Sequence, residues 1–553
     1  SEQNAAAIAQ ICSRLDGIPL AIELAAARVK VLPPAQIAAR LDDRFRLLTG
    51  GSRTALERHQ TLSALIEWSY NLLTEPERVL LRRLSVFAGG WRLEAAQAVC
   101  GDGLDADALD TLARLADKSL VVVEERGEAT EGRYRLLETI RQYARDKLLE
   151  SGETPGTRDR HLDFFLHLTE EAEPKLRSAA QLEWLGRLET EHDNLRAALG
   201  WALEAGKRDS SLRLAGAAFW FWNVRGYYSE GQKWLDDALA LGERASRRVD
   251  PTGGDDSSSR TELAQRAKAL YGAGLLRYMR VTDLGVARSR MEECLRLWRA
   301  LEDKWWIAIV LKDLGMMSVM EGDILKARAQ FEEGVALARE VEDKWAIAVC
   351  LTRLGVALIR VDFPAARPIL EEAIAVSRIV GDKSVLWYAL LNLSVVFNFQ
   401  RDYDAAMKLA EETLPAALEI GNQRDILLSR YVIGMGALFQ GDEVKAAAFS
   451  AEALALAREA SYPLGIALAI LVLGGVAASA GQPKQAVRLL AAAESLVSGL
   501  GINMLTWGDV ENVVYKDYMQ MARAQLDEAG FETARREGQT LTLEQAIEEA
   551  QSV

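Results

Sequence analysis

A chain of 553 residues is too long for one hydrophobic core and points to several domains or to a repeat array. Its 66 basic and 80 acidic residues leave a formal charge of -14, and no run of Lys or Arg concentrates positive charge on one face, which argues against a general nucleic-acid binder. No stretch approaches the roughly 20 uninterrupted apolar residues of a membrane span, and no signal peptide is visible. The cysteines (Cys12, Cys100, Cys294 and Cys350) lie far apart in apolar contexts without metal-ligand spacing; they read as buried small hydrophobes and suit a reducing cytoplasm.

The chain enters a helix almost at once after Ser1. From Ala5 to Leu48 it reads as two or three helices, with Gly17 suited to a C-cap and Pro19 to the first turn of the next helix. From Thr61 the pattern predicts helices over Thr61–Leu73, Glu75–Phe87, Leu93–Cys100 and Asp105–Lys118. Two β-rich runs follow, SLVVVEE from Ser119 and RYRLLE from Arg133, and then a helix over ETIRQYARDKLLES. Helices closed by a two-stranded wing read as a winged-helix domain. Its groove-reading helix would carry Asp105, Asp107, Asp110 and Asp117 against Arg114 and Lys118 alone, the wrong balance for phosphate contact.

A repeat-like unit spans Ser211–Ala245 around Gly216, Arg225-Gly226 and Ala238. The run RRVDPTGGDDSSSR, Arg247 to Arg260, is a linker or exposed loop by composition. Self-similarity then becomes plain. EDKWWIAIV from Glu302 and EDKWAIAVC from Glu342 are near copies, and the segments from Gly381 and Gly421 hold the same place, giving steps of 40, 39 and 40. A small residue recurs at Gly274, Gly315, Gly355, Ser394, Gly434 and Gly474. A second column runs through Ala287, Ala327, Ala366, Ala406, Ala446 and Ala486, and a third through Cys294, Gly334, Ala373, Thr413, Ala453 and Ala493. Paired helices approach closely only where side chains are small, so the columns mark helix crossings. Gly322-Asp323, Arg401-Asp402, Gly441-Asp442 and Gly481-Gln482 supply turns, Gly permitting a left-handed helix end and Asp capping the next helix. The pattern resembles the tetratricopeptide repeat in a form of about 40 residues. A helical tail from about Val510 to Ala550 caps the last unit.

The fold class expected is therefore all-α: a tetratricopeptide-repeat superhelix preceded by a small helical domain and a winged-helix domain with a short β-wing. The boundaries expected are 1–55 for the small helical domain, 56–155 for the winged helix and 156–246 for a helical linker with the first repeat-like unit. Residues 247–260 form the linker or loop, 261–500 the repeats and 501–553 the C-terminal cap.

LDGIPLAIELAAAR, RHQTLSALIEWSYNLLTEPERVLLRRLSVFAGGW and YRLLETIRQYA resemble the region that follows the nucleotide-binding core in bacterial signal-transduction ATPases of the STAND class, as in large LuxR-type regulators with a repeat sensor. The resemblance implies that an NTPase core precedes Ser1, that the full-length protein holds ADP or ATP, and that ligand induces homo-oligomers. It also implies that Gly17 and Pro19 approach the adenine. The family's Met-His-Asp motif is matched here by Leu136-Leu137-Glu138, so its His is replaced by Leu137 and only the acidic position is kept.

No Gly-x-x-x-x-Gly-Lys-[Ser/Thr] occurs, so this segment is not expected to be an enzyme or to hold a cofactor by itself. The histidines His59, His161, His167 and His192 show no metal or catalytic spacing and read as surface or capping residues. Paired acids such as Glu332-Glu333 and Glu371-Glu372 recur with the repeat and read as a solvated ridge, and Trp305 and Trp345 as packing between hairpins. Better evidence for a ligand is variation at a constant position. Two residues before the first small column stand Gly272, Asp313, Arg353, Asn392, Val432 and Val472, on the helix that lines the concave face; Asp313, Arg353 and Asn392 form a candidate polar reading strip. The function expected is the sensing arm of a cytoplasmic ATPase switch, binding an inducer, peptide or protein without touching membrane or nucleic acid. The alternatives are a constitutive repeat scaffold, and a transcription factor whose DNA contacts lie beyond Val553.

Overall fold

The computed structural model describes residues 2–14, 22, 25–26, 29, 32–40, 62–103, 107–124, 132–246, 256–280, 283–460, 462–500 and 509–553. Gly17 and Pro19, His59, and most of the 247–260 run lie outside the described residues. Contacts divide the chain into two compact units, one made of 1–169 and 188–214, the other of 170–187 and 215–553.

The first unit opens with helices Glu2–Arg14 and Pro34–Arg40. Helices Leu62–Asn71, Glu75–Leu84, Leu93–Cys100, Ala108–Asp117 and Glu138–Glu150 follow, with strands β1 (Trp91–Arg92), β2 (Val122–Glu124) and β3 (Arg133–Arg135). The sheet is antiparallel in the order β1-β3-β2, so the expected two-stranded wing has a third strand. A strand of two residues is too short to show an alternating pattern, and Trp91 is identified by its pairing with Tyr134. Gly90, at φ +107, lets the chain enter β1, since a Cβ there would lie 2.7 Å from the Tyr134 carbonyl. The helix after Thr74 starts on a capping box closed by Glu77.

This unit also corrects the reading of two histidines. His161 is buried, 4.6 Å from the Phe165 ring centroid and 5.3 Å from that of Phe87, and burial pushes its imidazole down to about 4. His192 is buried at the start of helix His192–Glu204. Beside them a polar knot is closed by Asn194, which donates to the Gly90 carbonyl (2.8 Å) and to Glu191 (2.7 Å), and by the buried Arg133–Glu191 ion pair.

The second unit is built of helical hairpins. The first pairs Arg208–Arg225, from Ala215 onward, with Tyr228–Ser246. Six more follow: Asp256–Arg280 with Leu284–Leu301, Lys304–Met320 with Ile324–Glu340, Lys344–Val361 with Phe363–Val380, Lys383–Phe399 with Tyr403–Ile420, Gln423–Gln440 with Glu443–Glu459, and Pro463–Ser479 with Pro483–Gly499. Helices Asp509–Arg523, Glu528–Thr540 and Leu543–Ala550 then pack on the last hairpin.

The small columns do what their size requires. A Cβ on Gly315 would sit 2.7 Å from the Phe331 ring, and one on Gly355 would sit 2.6 Å from Leu370, in each case on the partner helix of the same hairpin. The alanines of the second column are buried, and Gly334 in the third faces both its own hairpin and Cys350 of the next. Gly322, Gly441 and Gly481 end their helices at positive φ, and Arg401 takes the same conformation without being glycine. Asp323, Asp402 and Asp442 each accept a backbone N–H three residues on, as caps. The acidic ridge is an ion-pair ladder between successive hairpins: Arg299–Glu333 (2.9 Å), Arg339–Glu372 (2.8 Å) and Arg378–Glu412 (3.1 Å). Exposed pairs of this kind each add little stability.

Candidate ligand chamber in the repeat unit

The first helix of each hairpin turns one stripe toward the inside of the array. Counted from the small residue of the first column, that stripe holds the positions ten, six and three or two before it and one and four or five after it. The spacing is that of one face of an α-helix. It places Trp345, Ser384 and Arg424 in one row, then Val349, Tyr388, Leu428 and Leu468 in the next. Residues of these rows line a cavity of about 400 Å³.

The cavity is bounded on a further side by the first hairpin, which supplies Trp220, Asn223, Val224 and Tyr228. Hydrogen bonds to a distant repeat hold it there. Asn422 Nδ2 donates to the Val224 carbonyl (2.9 Å) and the Tyr228 hydroxyl (3.3 Å), and Arg225 donates to the Ile420 carbonyl (2.6 Å). Gly421 is needed at this crossing, because its φ is +74 and a Cβ there would meet the Arg225 guanidinium at 2.6 Å. Residues 170–187 form a second brace. Gln181 Nε2 donates to Asp382 (3.0 Å), whose other oxygen accepts from the Trp345 indole (2.7 Å). The Arg177 guanidinium lies 4.5 Å from the Trp305 ring centroid and 5.3 Å from that of Trp345.

The charges in and behind the walls are unequally matched. Lys312 pairs with Asp313 at 2.7 Å, and Tyr271 donates to the same carboxylate oxygen at 2.7 Å. Burial pushes the Lys312 ammonium down, against the pull of Asp313. Asp382 is enclosed by N–H donors. Arg353 is half-buried with its guanidinium 4.4 Å from the Tyr388 ring centroid, and no carboxylate lies within ion-pair distance of it among the described residues. Arg424 is also half-buried; it interacts with the Tyr228 and Tyr462 hydroxyls, while its Nε has no hydrogen-bond partner. Its neighbour Asp425 is buried, and burial pushes that carboxyl up to about 7, so at neutral pH it offsets only part of the positive charge.

The three residues of the predicted strip are placed differently. Arg353 and Asn392 line the cavity. Asp313 is fully buried behind the wall, bonded to Tyr271 and Lys312, with Oδ1 unpartnered. Arg424, Asp425 and Tyr278 were not singled out by the strip, and they also line the cavity, as do Lys312, Thr352 and Asp382. A signal for Arg424 was present: the row ten before the small residue reads Trp305, Trp345, Ser384, Arg424, the variation at constant position that marks a recognition surface.

In the winged helix, Lys118 bonds to the buried Glu77 carboxylate at 2.7 Å and Arg114 lies 3.6 Å from it. Both basic residues of the would-be reading helix are thus drawn to an internal acid, while Asp110 and Asp117 are exposed. Glu138, the acidic position kept in the matched motif, pairs with Arg141 at 2.6 Å. Among the described residues no cluster of three or more metal-ligating side chains occurs, and no helix is long and apolar enough to cross a membrane.

Residues 73–149 match the family of winged helix-turn-helix domains. The chain is 39% identical over 354 residues to a Mycobacterium tuberculosis protein with the provisional name of HTH-type transcriptional regulator, covering 58% of this chain and 40% of that one. An uncharacterized protein of the same organism is 52% identical over 162 residues, covering 29% of this chain and 40% of that one. The chain thus spans 40% of the length of these curated relatives. Among solved structures, a STAND protein with a tetratricopeptide repeat sensor from Pyrococcus horikoshii aligns with TM-score 0.46 and 16% identity, over 94% of this chain and 74% of that one. A Rap protein complexed with competence and sporulation factor aligns with TM-score 0.43 and 13% identity, over 66% and 99%. The chain carries a winged helix-turn-helix domain followed by an array of tetratricopeptide-like helical hairpins, and it is homologous to proteins named as HTH-type transcriptional regulators.

Proposed function

We propose that this chain is the sensing arm of a STAND-type regulatory ATPase, with the repeat unit as receiver and the helical and winged-helix segments as relay to a nucleotide-binding core. The observation that carries the reading is the cavity of about 400 Å³ braced on the inside of the repeats, lined by aromatic rings and by two arginines, Arg353 and Arg424, that form no ion pair among the described residues. A volume of that order suits a small molecule. Ligand there would favour one curvature of the array, and it shifts the resting-to-active equilibrium only by its difference in affinity for the two states. Adenine contact by Gly17 and Pro19, nucleotide exchange, assembly and transcriptional output belong to this proposal, as does a cytoplasmic location. By the same reading the chain itself is no enzyme and holds no cofactor, and its acidic reading helix leaves DNA to another segment. The test is nucleotide content and exchange in the full-length protein beside this chain, with and without cell extract. Bound ADP that exchanges for ATP on adding extract, in the full-length protein alone, supports the switch. A full-length protein that binds no nucleotide leaves a constitutive scaffold as the better account.

A further inference from the structure

The charge and shape of the chamber narrow the class of molecule it takes. Resting on the receiver reading above, we infer that the chamber binds a small organic carboxylate with an apolar body, its anionic head held between Arg353 and Arg424. The inference starts from the mismatch of charge. Lys312 pairs with Asp313, and Arg177 lies over indole rings near Asp382, but Arg353 makes no ion pair and feels Asp313 only at longer range, as a carboxylate it shares with Lys312. Arg424 has hydroxyls around it and a buried Nε without a hydrogen-bond partner. A guanidinium taken partly out of water without a carboxylate in contact carries a desolvation cost that an anionic ligand would offset. Both guanidiniums border the same cavity and lie near enough to repel each other, so one anion can address both.

The remaining walls specify the body. Trp220, Trp345, Trp387 and Tyr388 supply rings, and Val349, Val356 and Leu468 supply aliphatic surface. Asn392 is one of the neutral polar groups of the lining, beside Asn223, Thr352 and Ser384; its Nδ2 donates to the Tyr388 carbonyl, which leaves its amide oxygen as an acceptor for a ligand hydroxyl or N–H. A peptide threaded along the array is disfavoured by the crossing of Asn422 and Arg225 with the first hairpin, whose hydrogen bonds would have to open.

The test uses the fluorescence of the chamber tryptophans in the intact chain. Indole-free probes are titrated in pairs: 4-phenylbutyrate and octanoate, each beside its uncharged amide. The expected result is saturable quenching by the carboxylates with at least tenfold weaker binding of the amides, and loss of that preference in Arg353→Gln. Arg353→Lys, which keeps the charge, retains part of the preference, and far-UV circular dichroism verifies that each variant is folded. Equal binding of acid and amide overturns the carboxylate assignment and leaves the chamber a receptor for neutral molecules. Failure of both carboxylates to bind also overturns it. Small-molecule fractions of cell extract, split on an anion exchanger, then separate the two levels of the claim. Quenching by the unretained fraction alone sinks the anionic ligand and keeps the receiver; quenching by neither fraction sinks both.

Discussion

Gly315→Ala tests whether close helix approach is what holds the repeats in register. In the interior of helix Lys304–Met320, replacing Gly by Ala gains about 1 kcal/mol of helix propensity. Against that, the new Cβ would lie 2.7 Å from two atoms of the Phe331 ring and 3.0 Å from a third. Phe331 is 1% exposed, so the ring cannot swing into solvent. Overpacking of this kind costs about 1–3 kcal/mol, so the net effect runs from neutral to a loss of about 2 kcal/mol. Gly200 is the control: it lies inside helix His192–Glu204 with nothing within 4 Å of its Cβ position, so Gly200→Ala stabilises its own unit by up to about 1 kcal/mol. Urea unfolding followed by circular dichroism measures both, and adding Phe331→Leu to Gly315→Ala should relieve part of the loss. A Gly315→Ala chain stabilised as much as the Gly200→Ala chain would refute the reasoning.

Other parts of the structure make independent predictions. Asp425 has a carboxyl raised to about 7 by burial, so the folded chain holds that proton more tightly than the unfolded one. Its contribution to stability is full below about pH 4, is lost as pH rises toward 7 and is flat above; Asp425→Asn should remove that slope from a pH series of melts. Arg133→Met leaves Glu191 buried without its counter-ion, with the Asn194 amide as its remaining partner, and should destabilise the first unit by about 3–5 kcal/mol in urea, with partial recovery on adding Glu191→Leu. Burial pushes the Cys100 and Cys350 thiols up to about 12 and raises that of Cys294 as well, whereas Cys12 is half-exposed. A thiol reagent should therefore titrate one cysteine quickly and the other three only in denaturant.

The repeat array was legible because its physics is local. Three columns of small residues recur with the helix crossings they permit, and Asp323, Asp402 and Asp442 mark helix starts by their own hydrogen bonds. The chamber was only partly legible. Arg353 stood out as a charge in a variable column, but Asp313 in that column turned away to satisfy Tyr271 and Lys312. The bracing contacts were not readable, because Gln181 and Asp382 lie 201 residues apart, and Asn422 lies 198 from Val224. No periodicity in either segment announces the other. His161 was misread for a related reason: its neighbours Phe87 and Asn194 come from elements distant in sequence, and a histidine in a helix carries no local sign of burial.

The central claim is that occupancy of the chamber drives a switch. Val356 lies on the chamber wall at a half-buried position, where a larger side chain fills the cavity with little disturbance of the hairpin behind it. The decisive measurement is extract-triggered nucleotide exchange in the full-length protein, compared between the natural sequence and Val356→Trp. The account predicts that Val356→Trp still holds nucleotide but no longer exchanges it when extract is added. Exchange that proceeds unchanged with the chamber filled would contradict the account.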